Sequence, residues 1–397
     1  WFNILMATTL YLILFFAAPL IGEYYHTERV VPLCRYSFLV IIIASLGTAQ
    51  SAYLFKNLKA RQQATAAAVA VLVSNIVGVT MAFAGFAYWA LATQNLIYVA
   101  VNIGIQWHYS PWRPTLHGIT FAPVRRMFRF SCKVLATTIV NHVNNNVLNI
   151  LLGHYFSPRD TGNFNQAYQW NMKSYSLVQS MILQVAQPVL VGLDDDADRQ
   201  LRVFRKMVRF TSFVTFPLLF GFALVSREFI VIALTEKWLA SASLLQLLCI
   251  SGAVMPLCAL FNNMVVSKGR SDILLWCTFS LGLLLTLMML VIWPWGIHAM
   301  VVAFVVINVS WLFVWLYFVR RLTGYGYLMF VRDVLPFAAA AVAVMGLTYL
   351  ATQPIHNLWG LLLARIAIAA TAYYAVMRVA HVAILDECID FIRGKMK

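Results

Sequence analysis

Two lysines and a dense set of asparagines stand in this chain where lipid would ask for apolar residues. Residues 129–153 read RFSCKVLATTIVNHVNNNVLNILLG, a run long enough to cross a bilayer that holds Lys133, His142 and five asparagines. The following run, 163–192, carries Lys173 among Tyr168, Gln169, Asn171, Gln179 and Gln184. A Lys at a helix centre costs roughly 2.5–3.5 kcal/mol to insert, and each uncompensated amide adds to that. Such helices face protein or water rather than hydrocarbon. The chemistry open to them is recognition: ammonium groups for an anion, amides for hydroxyls.

At the 3.6-residue helical period, Lys133, Thr137, Asn141, Asn144, Asn145 and Asn149 fall within an arc of roughly 160°. Ile139, Val143, Val147 and Ile150 take the opposite side, with His142 and Asn146 at the margins. That pattern predicts one lipid face and one wet face. The competing reading is amide hydrogen bonding between helices, which needs no substrate. Lys133 lies one turn from its span's end and Lys173 about one-third of the way into its own, so snorkelling to the interface is the alternative for both. Arg35 opens another span, after the loop EYYHTERVVP, and either joins the same cavity from the outer side or anchors at the interface. Neither lysine has an obvious acidic partner within the spans. Unpaired cations suit an anion route better than a cation or proton relay.

Other candidate chemistry is thinner. The run Asp194, Asp195, Asp196, Asp198 contains a DxD pattern, which in glycosyltransferases can hold a metal. Placed ahead of the basic segment RQLRVFRKMVR, it reads better as a helix N-cap. The sequence has no GxxxxGK[ST], GxSxG or HExxH, its eight histidines are dispersed, and its six cysteines form no CxxC. No catalytic residue, metal or cofactor is expected, beyond a coupling ion, H+ or Na+.

The elements that must position these residues follow from composition. The chain is 62% hydrophobic and 11% charged, with mean hydropathy +0.78; a soluble domain would be about a quarter charged. Apolar runs predict an all-α polytopic membrane protein of about twelve spans. They lie near 1–21, 33–55, 63–84, 87–107, 129–153, 163–192, 208–226, 242–266, 272–293, 297–319, 334–351 and 357–380. The loops are too short for a glycosyltransferase or polymerase domain.

The net charge of +15 is gathered in alternate loops, as positive-inside topology requires, and not in a nucleic-acid patch. Lys56, Lys59 and Arg61, then Arg125, Arg126 and Arg129, then Arg199 to Arg209, then Arg320, Arg321 and Arg332 share one side. That side is read as cytoplasmic, together with the C-terminus. The Pro- and Arg-rich segment 108–128 separates two groups of helices. A second break at 320–333 precedes two Ala-rich helices that look peripheral, with Arg365 at a lipid headgroup or snorkelling. The first residue is Trp1, and the chain is expected to begin inside a longer protein.

Several stretches carry a resemblance. HYFSPRDTGNFNQAYQW (154–170), LTEKWLASASLLQLLCISG (234–252), SKGRSDILL (267–275), residues 18–58 and FAYWALATQNL (86–96) are similar, in register, to Wzx-type polysaccharide flippases. These belong to the multidrug/oligosaccharidyl-lipid/polysaccharide exporter superfamily. The resemblance implies two helical lobes around a central cavity plus two extra C-terminal helices, with the family's first two helices missing here. Residues 1–107 would be the remainder of the N-terminal lobe, 108–128 the cytoplasmic linker, 129–320 the C-terminal lobe, and 321–397 the extra helices and tail. It implies alternating-access transfer of polyprenyl-diphosphate-linked oligosaccharide across the bacterial inner membrane, amid membrane lipids and beside a glycan polymerase and export machinery. Lys133, Lys173 and Arg35 would attract the diphosphate; Asn141, Asn144, Asn145, Asn149, Tyr168 and Gln169 would bond the sugars. A multidrug cation antiporter of the superfamily is the nearest rival; it predicts membrane-embedded acids in the first lobe, and none is seen.

Overall fold

The computed structural model describes residues 1–57, 59–114, 122–192, 196–355, 357–380, 382 and 384–387. Among them every regular element is a helix, and the chain divides into two compact units, Trp1–Val134 and Leu135–Lys397.

The first unit holds α1 (Phe2–Tyr24), α2 (Val30–Ser37), α3 (Leu39–Lys56), α4 (Ala60–Phe83) and α5 (Ala87–Tyr109). α4 and α5 form a hairpin turned at Gly85, whose φ of +86° suits glycine. α4 is rich in alanine, and Ala66 and Ala70 are fully buried. Small side chains let helices approach closely when no hydrophobic effect drives them together in lipid. The pair is also tied by an amide bridge, Gln94 Nε2 donating to Asn75 Oδ1 at 2.6 Å.

The division between units falls inside α6 (Ala122–Tyr155), which is followed by α7 (Pro158–Gly192), α8 (Ala197–Leu224) and the short α9 (Ser226–Leu234). Then come α10 (Leu239–Gly252), α11 (Met255–Ser267), α12 (Ser271–Ile292), α13 (Ile297–Thr323), α14 (Tyr327–Ala351) and α15 (Leu358–Val379). α10 and α11 are the centre of the second unit, with Leu245, Leu248, Leu257 and Phe261 fully buried against α7, α8 and α13. They read as one span but are broken after Gly252. Pro256 sits in the first turn of α11, where its missing N–H costs nothing. A broken helix at membrane depth is tolerated where protein surrounds it.

The expected spans are helical, but 33–55 is divided between α2 and α3 and 242–266 between α10 and α11. Nine segments among the described residues are both long and apolar enough to cross a membrane. α5, α6 and α7 have the length, at 23, 34 and 35 residues, but their amides take them below that apolarity. α8 begins eleven residues ahead of its expected span, 197 against 208, because the basic segment continues the helix. Asp196 caps it, accepting from the Arg199 N–H at 2.9 Å, as the cap reading of the acidic run requires. Asp194 and Asp195 lie outside the described residues.

The last two helices are not peripheral. α13 ends at Gly324 in the left-handed conformation, and the chain turns into Tyr325, fully buried edge-on against Phe204 of α8. Burial and the nearby carboxylate push the Tyr325 hydroxyl far above its ordinary range, so it stays a donor to Asp333. Asp333, fully buried on α14, also accepts from Arg205 at 2.8 and 3.0 Å and from Arg209 at 2.5 Å, both on α8. Arg365 of α15 corrects a second expectation. It neither snorkels nor meets lipid headgroups: it is buried, 2.9 Å from Glu228 of α9, and donates to the Leu224 carbonyl and the Thr352 hydroxyl. Hydrocarbon makes an unpaired charge expensive, so the two buried charges on these helices, Asp333 and Arg365, have found their partners on α8 and α9.

Candidate functional site

One helix face in the second unit combines accessibility with polarity. Along α7, Asn165, Lys173, Ser176 and Ser180 are exposed and Gln169 is half-exposed. Counted from Asn165 at 100° per residue, the five fall within about 80° of arc, with no apolar residue among them, over roughly 22 Å of helix length. Lipid would leave that face unsolvated. The opposite flank of α7 is packed: Phe164, Ala167, Val178 and Ile182 are buried. The helix is thus amphipathic at membrane length, as the spacing of its polar residues dictates.

Within the stripe, the Ser176 and Ser180 hydroxyls donate to the carbonyls of Lys173 and Leu177 at 3.1 and 2.9 Å, which leaves their oxygens as acceptors. The Lys173 ammonium lies 4.8 Å from the centre of the Trp170 ring, and Trp170 packs edge-on against Phe229 of α9. This cation–π contact holds the lysine on its helix without neutralising it. Tyr168 lies outside the stripe: its ring stacks on Phe164 and meets Phe304 of α13 edge-on.

The amides divide into packing and exposed groups. Asn144 donates to the Thr278 carbonyl of α12 at 2.7 Å and rests on Gly282, where a Cβ would come within 1.7 Å of its Oδ1. Asn171 is buried against the break after Gly252, and a Cβ there would meet its Oδ1 at 2.2 Å. Asn149 is half-buried, with Oδ1 enclosed and without a hydrogen-bond partner. Asn146 and His142, expected at the margins of α6, are exposed alongside Ile139, Val143 and Ile150. Val147, expected toward lipid, is buried, as are Leu148 and Leu152 within the amide arc itself. Asn144 lies against Thr278 and Gly282 of α12, so that arc meets protein over part of its length. The side chains of Lys133, Asn141 and Asn145 lie outside the described residues.

In the first unit, Arg35 is fixed on α1, its Nε donating to the Phe15 carbonyl at 3.3 Å and its guanidinium 4.3 Å from the Phe15 ring centre. The sequence reading passed over amides on α3 and α5. Gln50 is buried with neither side-chain atom bonded; Gln106 donates to Asn102 at 3.1 Å and keeps an unpartnered, buried Oε1. Gln106 and Asn102 line a cleft of about 530 Å³ with Thr48, Ser51 and Gln63. Their signal was legible as two amides one turn apart in α5, following Gln94 and Asn95 on the same helix. Among the described residues no three His, Cys, Asp or Glu side chains gather as a metal site.

The family described as "Polysaccharide biosynthesis protein" matches residues 1–243. The chain is similar to the lipopolysaccharide biosynthesis protein WzxC of Escherichia coli (strain K12), with 24% identity over 279 residues, 69% of this chain and 56% of WzxC. It is also similar to the teichuronic acid biosynthesis protein TuaB of Bacillus subtilis (strain 168), with 27% identity over 285 residues, 69% of this chain and 57% of TuaB. The match thus spans little more than half the length of these relatives. Among solved structures, the lipid II flippase MurJ in an inward closed conformation shares the fold, with a TM-score of 0.76 at 14% identity, covering 96% of this chain and 82% of that one.

Proposed function

The chain belongs to the polysaccharide biosynthesis protein family, and we propose that it is a flippase for lipid-linked glycan. Its cargo is an undecaprenyl-diphosphate-linked oligosaccharide, moved from the inner to the outer leaflet of the bacterial inner membrane by alternating access. The product feeds surface polysaccharide: O-antigen, capsule or exopolysaccharide. A polymerase and export machinery would take it onward.

The observation that carries this reading is the α7 stripe. Hydroxyls and amides without a carboxylate suit sugar hydroxyls, which need adaptable donors and acceptors. Lys173 adds one unneutralised cation, which suits a diphosphate and repels a cationic drug. The kinship with WzxC and TuaB and the MurJ-like fold support the same class. No covalent step is required, since translocation only needs the cargo to bind two states differently.

The direct test is deletion of the gene followed by tracking of the lipid-linked intermediate. It should accumulate on the cytoplasmic face while surface glycan falls. If the intermediate still reaches the periplasm and surface glycan is normal, the reading is wrong.

A further inference from the structure

At the basic end of the second unit, a cleft of about 460 Å³ opens between α8, α14 and α15. Its walls are apolar, with Pro336, Phe337, Ala340 and Met377, and its rim carries Arg209 and Arg332. The charges at this rim do not balance. Asp333 is turned fully into the protein, where Arg205, Arg209 and Tyr325 already hold it. Arg205, Arg209 and Arg332 therefore face one carboxylate. Arg332 is exposed and pairs with no carboxylate among the described residues.

Pro336 adds a second feature. It has no N–H, so the Arg332 carbonyl loses the donor that a regular helix would give it. An apolar slot, a cationic rim and an unmatched acceptor together describe the two ends of a lipid. The chain's own tail already borders the slot with Ala380, Val382 and Ile384 and spends Asp386 and Glu387 on Arg378 and Lys206, while its last residues, RGKMK at 393–397, would be repelled. A second copy would bring the same arginines.

We propose that this cleft seats one anionic diacyl glycerophospholipid of the inner leaflet. Its phosphate meets Arg209 and Arg332, a headgroup hydroxyl bonds the Arg332 carbonyl, and its acyl chains run along α14 and α15. The lipid braces the last two helices against α8, whatever cargo the protein carries. A zwitterionic lipid fits less well, because it leaves the excess positive charge unmet.

Native mass spectrometry of the purified protein tests this, with phosphatidylglycerol and phosphatidylcholine of equal chain length as probes. The wild type should retain phosphatidylglycerol preferentially. Arg332→Gln should weaken that retention about fivefold, the equivalent of about 1 kcal/mol for one cation at the membrane surface. Ala340→Trp, which fills the slot and spares both arginines, should abolish it. Equal retention of the two lipids by the wild type would overturn the proposal, as would unchanged retention in both variants. Displacement of phosphatidylglycerol by a polyprenyl phosphate would reassign the cleft to cargo and overturn it equally.

Discussion

The buried pair Glu228–Arg365 predicts an asymmetry between its two halves. Arg365 has three partners: Glu228 Oε1 at 2.9 Å, the Leu224 carbonyl at 3.0 Å and the Thr352 hydroxyl at 3.2 Å. Glu228 is less well provided, because its Oε2 is buried without a hydrogen-bond partner. Arg365→Met therefore strands a buried carboxylate, a loss of about 3–5 kcal/mol. Glu228→Gln leaves the guanidinium with two acceptors and the Tyr349 ring at 5.4 Å, so the cost should be nearer 1–2 kcal/mol, about that of one charge-assisted hydrogen bond. Removing both charges together should cost little more than Glu228→Gln alone. Thermal unfolding of the purified protein in detergent reads this out. At roughly 2–4 °C per kcal/mol for a unit of this size, Arg365→Met should lower the midpoint by about 10 °C and Glu228→Gln by about 4 °C. The double variant should sit near the second value, a coupling of at least about 2 kcal/mol. Equal losses from the two single variants, or additive losses in the double, would refute the reasoning.

Other substitutions probe the remaining contacts. Ser176→Leu with Ser180→Leu turns the C-terminal end of the α7 stripe apolar and should cut surface glycan more than tenfold at unchanged protein level, measured by gel and immunoblot; Lys173→Arg should be tolerated and Lys173→Ala should not. Gly282→Ala drives a methyl into Asn144 Oδ1 and should cost about 1–3 kcal/mol by overpacking; adding Asn144→Ala should recover most of it in the same melt. Asp333→Asn should cost roughly 2 kcal/mol, below the range for a wholly buried pair, because the Arg205 and Arg209 side chains are 29% and 45% exposed and can turn to water.

How far the sequence reaches can be read from α6 and α15. Membrane-length runs gave the helices, because few other structures satisfy the backbone in hydrocarbon. They did not give the side each helix buries. Val147 and Ile139 share one apolar flank of α6, yet Val147 is 5% exposed and Ile139 53%. A lipid tail and a leucine-lined interior are equally apolar, so hydropathy cannot tell packing from lipid contact. Arg365 was misread for a related reason. Its partner Glu228 is 137 residues away and directly follows Arg227, so nothing in the local sequence marks it as the counter-ion of Arg365. The family resemblance supplied the fold that periodicity alone could not.

For the candidate site, polarity in a span does not by itself separate recognition from packing. Asn144 and Asn171 have the same chemistry as Asn165 and Gln169, and all lie in membrane-length helices. The first two are consumed by packing on Gly282 and at Gly252, where the absence of a side chain makes room for an amide. The last two stand in an accessible stripe with Lys173 and two serines. An amide that lies against a facing glycine is therefore better explained by helix association, and a pair at i and i+4, continued by a lysine at i+8 and accessible hydroxyls, by a hydrated path. By that criterion the recognition surface we propose in the second unit shifts from the asparagines of α6 to the α7 stripe between Asn165 and Ser180. The residues that the proposal turns on are then Ser176 and Ser180, which no motif would have singled out.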